Sequence, residues 1–277
     1  MARFYNPIIL ALVLAALWSP TASIAGDEAA MRAKLEKIVA GDHRSPAHKA
    51  RDRYRHPVET LMWFGLRDDM TVVEISPGGG WYTEILAPFL KDKGVFYAAG
   101  YDPNSWTPYY RHGAKKFAEK LAANPAVYSK VKMTVMAKDT YDIAPAGSAD
   151  MVLTFRNVHN WMDGDYAAAA FKAFYDTLKP GGVLGVVEHR GDPAVAQDED
   201  AEAGYVREDV VIKFARGAGF KLASKSEINA NPKDNRDHPK GVWTLPPTLR
   251  LKDKDHEKYL AIGESDRMTL KFIKPAN

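Results

Sequence analysis

A doubly wound α/β domain is predicted by three observations. From residue 71 onward short apolar runs alternate with stretches of helical periodicity, glycine and proline separate them, and the first run enters a helix through three consecutive glycines. In order, "TVVEIS" reads as a buried strand and "YTEILAPFL" as a helix ended by "KDKG". "VFYAAGY" is a second strand, "GAKKFAEKLAAN" a helix closed by Pro125, and "VKMTVMA" a third strand. "ADMVLTFR" is the fourth, "DYAAAAFKAFYDTL" a helix stopped by "KPGG", and "VLGVVEHR" the fifth. "REDVVIKFARGAG" is helical, and "FKLASKSE" and "DRMTLKFIKP" are the sixth and seventh strands. Strands separated by helices need crossover connections, so the sheet is mostly parallel and covered on both faces. Ligands of such sheets lie beyond the carboxyl ends of the strands, where the strand order reverses.

Ahead of this domain, "GDEAAMRAKLEKIVAG" has the spacing of an amphipathic helix, and "DHRSPAHKARDRYRH" is rich in histidine and arginine. Its basic residues are expected to form a solvated cover over the ligand mouth. At the N-terminus, Arg3 precedes "IILALVLAALW" and then "SPTASIAG", whose Ser23 and Ala25 are the small residues a signal peptidase requires. That apolar stretch is short beside the roughly 20 residues of a membrane span. Residues 1–25 are therefore expected to be an export signal, 26–56 a helical cover and 57–277 the main domain. The 277 residues include no cysteine, which suits an oxidising compartment, and a periplasmic location without a stable membrane span is expected. A net charge of +3 from 38 basic and 35 acidic residues is too small to imply nucleic acid.

The turn "EISPGGGW" lets backbone approach a ligand and directs amide N–H groups outward at a helix N-terminus. No Gly-Lys-Ser/Thr follows, so it is not a P-loop, and it is not a G-x-G-x-x-G fingerprint.

"VVEISPGGGWYTEIL" resembles the first motif of class I S-adenosylmethionine-dependent methyltransferases, with Glu74 in the place of the acid, Gly78 and Gly80 in two glycine places and Ser76 where the first glycine is usual. "ADMVLTFRNVHNW" resembles the fourth-strand motif, its "RNV" being similar to that of ubiquinone and menaquinone biosynthesis methyltransferases, and "LKPGGVLGVVEHR" resembles the fifth. The resemblance covers roughly residues 57 to 275. It implies a Rossmann-like, seven-stranded sheet with an antiparallel last strand. It also implies S-adenosyl-L-methionine held by Glu74, Ser76, Gly78, Gly79 and Gly80, with Asp102 on the ribose hydroxyls and Asp139 facing the adenine amino group. A turn or helix cap is an equal reading of Asp139.

Methyl transfer needs a base only for a hydroxyl or acidic carbon acceptor, and His159 and His189, at the ends of strands four and five, are the candidate catalytic residues. A structural histidine is the alternative for each. Glu188 and Arg190 flank His189, and a surface ion pair is their plainer reading. His43, His48 and His56 are spaced by five and eight residues around Pro46, which gives no imidazole pair on one helical turn, so no metal is expected. Trp81, Tyr82, Trp106, Tyr109, Tyr110 and Trp161 gather near the mouth and suit a planar or aromatic small-molecule substrate. The acidic stretch 198–209 falls where the resemblance implies a substrate-covering element, and a solvated loop is its plainer reading. Two functions stay open: methyl transfer to a small molecule, or an exported methyltransferase-fold protein that has lost transfer and binds another ligand or catalyses a lyase or metal-assisted step.

Overall fold

The computed structural model describes Met1 and residues 20–276. The apolar stretch of the expected export signal lies outside the described residues. Among those described, no helix is long and apolar enough to cross a membrane.

Four helices come first: α1 (Pro20–Val39), α2 (Pro46–Lys49), α3 (Asp52–Arg55) and α4 (Pro57–Phe64). The alternating part runs β1 (Thr71–Ile75), α5 (Thr83–Leu90), β2 (Val95–Gly100), α6 (Pro108–Ala123), α7 (Pro125–Tyr128), β3 (Lys132–Val135), β4 (Ala149–Phe155), α8 (Val158–Asp163), α9 (Ala167–Thr177), β5 (Leu178–His189), α10 (Glu208–Gly217) and β6 (Lys221–Ser226). A 3-10 turn (Gly241–Thr244), α11 (His256–Ile262) and β7 (Arg267–Ile273) close the chain. The seven strands form one sheet ordered β3-β2-β1-β4-β5-β7-β6. All neighbours are parallel until β7, which inserts antiparallel between β5 and β6. The order reverses between β1 and β4, and that switch point places the ligand site.

Side-chain alternation builds a core on each face. Val73, Val152 and Val186 join Trp161, Phe171 and Phe174 of α8 and α9 on one side, while Val72, Met151 and Val187 join Leu61, Phe64, Ile85 and Phe117 on the other. Each fully buried Phe or Leu contributes about 1.5–3 kcal/mol.

Three boundaries differ most from the sequence expectation, the first being α1, which begins at Pro20 rather than near Gly26 and so runs across the end of the expected export signal. Proline at the first helical turn starts α6 at Pro108, five residues early, so Tyr109 and Tyr110 are helical. "KPGG" is drawn into β5, whose register with β4 shifts between Ala149 and Met151. Gly181, at φ +78°, turns there and donates its N–H to Lys274.

Candidate active site

Beyond β1 the backbone enters the left-handed region three times, at Ser76 (φ +50°), Gly78 (φ +56°) and Gly80 (φ +76°). For Ser76 this costs on the order of 1–3 kcal/mol, so a serine is held in a glycine's conformation. Its N–H is tied to the Ala99 carbonyl at 2.8 Å. A Cβ added at Gly78 or Gly79 would meet nothing within 4 Å, whereas one at Gly80 would meet the Phe117 ring at 3.0 Å. The first two glycines thus leave an open cradle, and the third permits helix packing. Beside them Glu74 is 2% exposed and accepts a 2.6 Å hydrogen bond from the Thr83 hydroxyl. Burial pushes its carboxyl up to about 7, although Thr83, Lys120 and Arg156 pull the other way.

The N-terminal cover is pinned over this turn by buried ion pairs. Arg44 and Arg55, both 2% exposed, flank the Trp81 ring at 5.0 and 4.6 Å. Arg44 donates to Asp52 at 2.7 and 2.8 Å, and Arg51 and Arg55 donate to Glu264 at 2.5 and 3.2 Å. The expectation of solvated basic residues is therefore corrected for Arg44 and Arg55, because aromatic and carboxylate partners take them out of water. His48 bonds the Glu84 carboxylate at 2.9 Å and His43 the Glu84 carbonyl at 2.8 Å, which fastens the cover to α5.

The ends of β4 and β5 supply the second half. Asn157 donates to the Ile75 carbonyl at 3.1 Å and so joins β4 to β1. Glu188, fully buried, accepts the Val158 N–H at 2.5 Å and sits 3.1 Å from His159 Nδ1. A carboxylate only accepts, so this contact assigns the proton to Nδ1 and leaves Nε2 as the acceptor on the ring. His189 Nδ1 meets the Ser265 hydroxyl at 2.5 Å, and its ring lies 5.3 Å from that of His159. Burial, then His159 and the guanidiniums of Arg267, Arg156 and Arg55, holds His189 well below the usual histidine range. Glu188 and Arg190 do not pair with each other: Arg190 binds Asp266 at 2.9 Å and Glu227 at 2.7 Å.

Two adjoining cavities receive these groups. One, of about 210 Å³, is lined by Glu74, Ser76, Gly78 and Gly79; the other, of about 560 Å³, by Ser76, Asp102, His159 and His189. Arg51, Arg55, Arg156 and Asn157 line both. Asp102 is half-buried and its carboxylate accepts the Asn104 N–H at 2.8 Å. Asp139 is exposed at φ +64° and lies outside both linings, where Ala137 and Lys138 stand instead. Of the aromatic residues, Trp81, Tyr82 and Trp161 are buried, Tyr109 and Tyr110 are exposed and line the larger cavity, and Trp106 is exposed to solvent outside both linings.

An adenosine-bearing cofactor fits this donor set, since the cradle is open and the acids Glu74 and Asp102 border the cavities. His159, Glu188 and His189 also bring three possible metal-ligand atoms within 4.8 Å of one another, the group in which such atoms converge among the described residues. Both Glu188 oxygens already accept hydrogen bonds, and the neighbouring guanidiniums raise the cost of a further cation.

Sequence reasoning missed the arginines of the mouth, Glu264, and the wall made by Val242 and Trp243. Trp243 stands edge-on to His159 at 5.9 Å. Stretch 198–209 supports that wall, with Val242 donating to the Ala203 carbonyl at 2.9 Å. "RNV" was a usable signal for Arg156 and Asn157, but residues 229–266 carry no periodicity from which contacts could be read.

Solved structures with the same fold include a SAM-dependent methyltransferase from Aquifex aeolicus (TM-score 0.56, 15% identity, covering 88% of this chain and 98% of that one). The cyclase SpnF is similar at TM-score 0.57 and 14% identity over 86% of both chains. A putative sarcosine dimethylglycine methyltransferase from Galdieria sulphuraria follows at 0.55 and 12%, covering 81% and 85%. No curated protein matches the sequence. Residues 47–222 match the methyltransferase domain family, from the cover through β6, and by that match the chain belongs to it.

Proposed function

We propose that the chain transfers a methyl group from S-adenosylmethionine to a small organic acceptor, and that it works in the periplasm after export. The supporting observation is a shared mouth, in which the open cradle beside Glu74 adjoins the cavity lined by His159 and His189. Glu74, Ser76, Gly78 and Gly79 would hold the cofactor, with Asp102 toward the ribose and Asp139 outside both linings. When bound, the cofactor supplies an activated methyl group, so the protein's share is alignment and exclusion of water. Glu188 holds the His159 ring so that Nε2 can take a proton from an acceptor hydroxyl or acidic carbon. Trp243 walls that ring, and the rim tyrosines suit a planar acceptor.

Two observations favour a second reading, a fold that binds without transferring. Ser76 carries a side chain where the resemblance has glycine, and a structurally similar chain, SpnF, is a cyclase. Calorimetry on protein from the periplasmic fraction, its N-terminus read by mass, decides between them. Methyl transfer predicts micromolar binding of S-adenosylmethionine that weakens at least about tenfold in Gly78→Ala, whose methyl enters the cradle at a positive φ. No heat from the wild type would end this reading, and a chain retained in the cytoplasm with residues 1–25 intact would end the export proposal.

A further inference from the structure

The charge balance of the mouth narrows the acceptor. Arg51, Arg55, Arg156 and Arg267 all line the larger cavity. Among the described residues, the carboxylate they share is Glu264, which takes Arg51, Arg55 and Arg267. The Arg156 backbone N–H donates to the Val187 carbonyl at 2.7 Å, but its guanidinium has no hydrogen-bond or ion-pair partner among the described residues, although the residue lines both cavities. Lys138 and Asp102 lie on the same lining and Glu188 stands behind His159, so five cationic side chains face three carboxylates and the balance stays positive by two in a partly desolvated space, where opposite charge is worth more than in water. The energetic strain is visible in Arg156, whose guanidinium is pushed down to about 10, first by burial and then by Arg267.

S-adenosylmethionine does not relieve this. Its sulfonium and ammonium outweigh its carboxylate, so it adds one net positive charge. A neutral acceptor would leave the filled site more cationic than the empty one.

We infer that the acceptor is a small organic anion, a carboxylate or a phosphate, and that Arg156 receives its acidic group. The inference rests on the methyl-transfer reading and adds the acceptor's chemical class to it. Arg156 suits the role because a guanidinium presents paired N–H donors that match a carboxylate or phosphate oxygen pair, and here none of them is spent on the protein. It follows Phe155 at the end of β4 and is three residues from His159, so an anchored acid would carry the rest of the acceptor toward the His159 ring. Arg55 and Arg267 reinforce the field while staying fixed on Glu264.

The cofactor's own carboxylate has the same chemistry and could claim the same guanidinium, so the test separates the two sources. The full chain is titrated calorimetrically with benzoate and with phenyl phosphate, and with benzamide as the neutral counterpart. Each titration is run alone and then with saturating S-adenosylhomocysteine. Supporting the inference, at least one acid binds with S-adenosylhomocysteine present and benzamide does not. That binding then falls about tenfold or more in Arg156→Gln and partly returns in Arg156→Lys, as loss of a charge-assisted contact requires. Thermal melts show whether each variant is folded, and the comparison of benzoate with benzamide in the wild type stands without any variant. Acid binding abolished by S-adenosylhomocysteine would assign Arg156 to the cofactor and overturn the inference. So would equal binding of benzamide, or no acid binding by a chain that takes up S-adenosylhomocysteine, both of which leave methyl transfer standing. A chain that gives no heat with S-adenosylhomocysteine loses the methyl-transfer reading and the acceptor assignment with it.

Discussion

Glu74 in the glycine cradle and Glu264 at the gate formed by the cover and β7 are both 2% exposed, but their surroundings drive them in opposite directions. Burial raises the carboxyl of each. Glu74 is bonded by one hydroxyl, and that bond with the unbonded charges of Lys120 and Arg156 does not overcome burial, so it rises to about 7. Glu264 faces Arg267, Arg55 and Arg51, whose charges overcome burial and hold it far below the carboxylate range. At equal burial the number of bonded cations decides the outcome. A carboxyl poised near neutrality can still exchange hydrogen bonds with a ligand, whereas one clamped by three guanidiniums is committed to holding the gate together.

The comparison breaks most visibly at the gate. Glu264→Gln leaves guanidiniums buried without their counter-charge and should cost about 3–5 kcal/mol, read from the urea midpoint. A cost under about 1 kcal/mol would mean the gate is not held electrostatically. Because the folded-state pKa is depressed, this stabilisation is present above the ordinary carboxylate range and lost as pH falls through it and below.

Glu74 behaves with the opposite sign. Its pKa rises from 4.5 to about 7 on folding, so the native state holds the extra proton across that window and stability declines as pH increases through it. Glu74→Gln should remove that decline, worth up to about 3 kcal/mol between pH 4 and pH 8 at about 1.4 kcal/mol per unit. Parallel curves for wild type and variant would show that Glu74 is not poised. The smallest effect is expected at Ser76→Gly, where relief of about 1–3 kcal/mol of left-handed strain is partly offset by about 0.4–1 kcal/mol of added unfolded-chain entropy, a net gain of about 0.5–2 kcal/mol and a rise of a few degrees in Tm. A loss of stability instead would mean that the serine side chain contributes more than its strained backbone costs.

Much of the cradle was legible because it is local. Glu74 and the three glycines lie within one strand-to-helix turn, and strand alternation together with glycine and proline spacing suffices to find it. The seventh strand could be placed antiparallel through the family resemblance, not through any property of the periodicity of "DRMTLKFIKP". The gate was illegible for the opposite reason. Arg51 and Arg55, Arg156, and Glu264 come from three separate stretches, and nothing in "HRSPAHKARDRYRH" distinguishes an arginine that will be buried against Trp81 from one in water. The contact of His159 with Glu188 likewise depends on β4 and β5 ending side by side. Each histidine could be named as a candidate, but not the carboxylate that orients one of them.

The gate also has a temporal consequence. Arg51 and Arg55 meet Glu264 across 213 and 209 residues of chain. A polypeptide made from its N-terminus therefore cannot finish this wall until Glu264 has emerged. Export as an extended thread would deliver the protein with its binding place unassembled, so any nucleoside it uses would have to be captured at the destination rather than carried along.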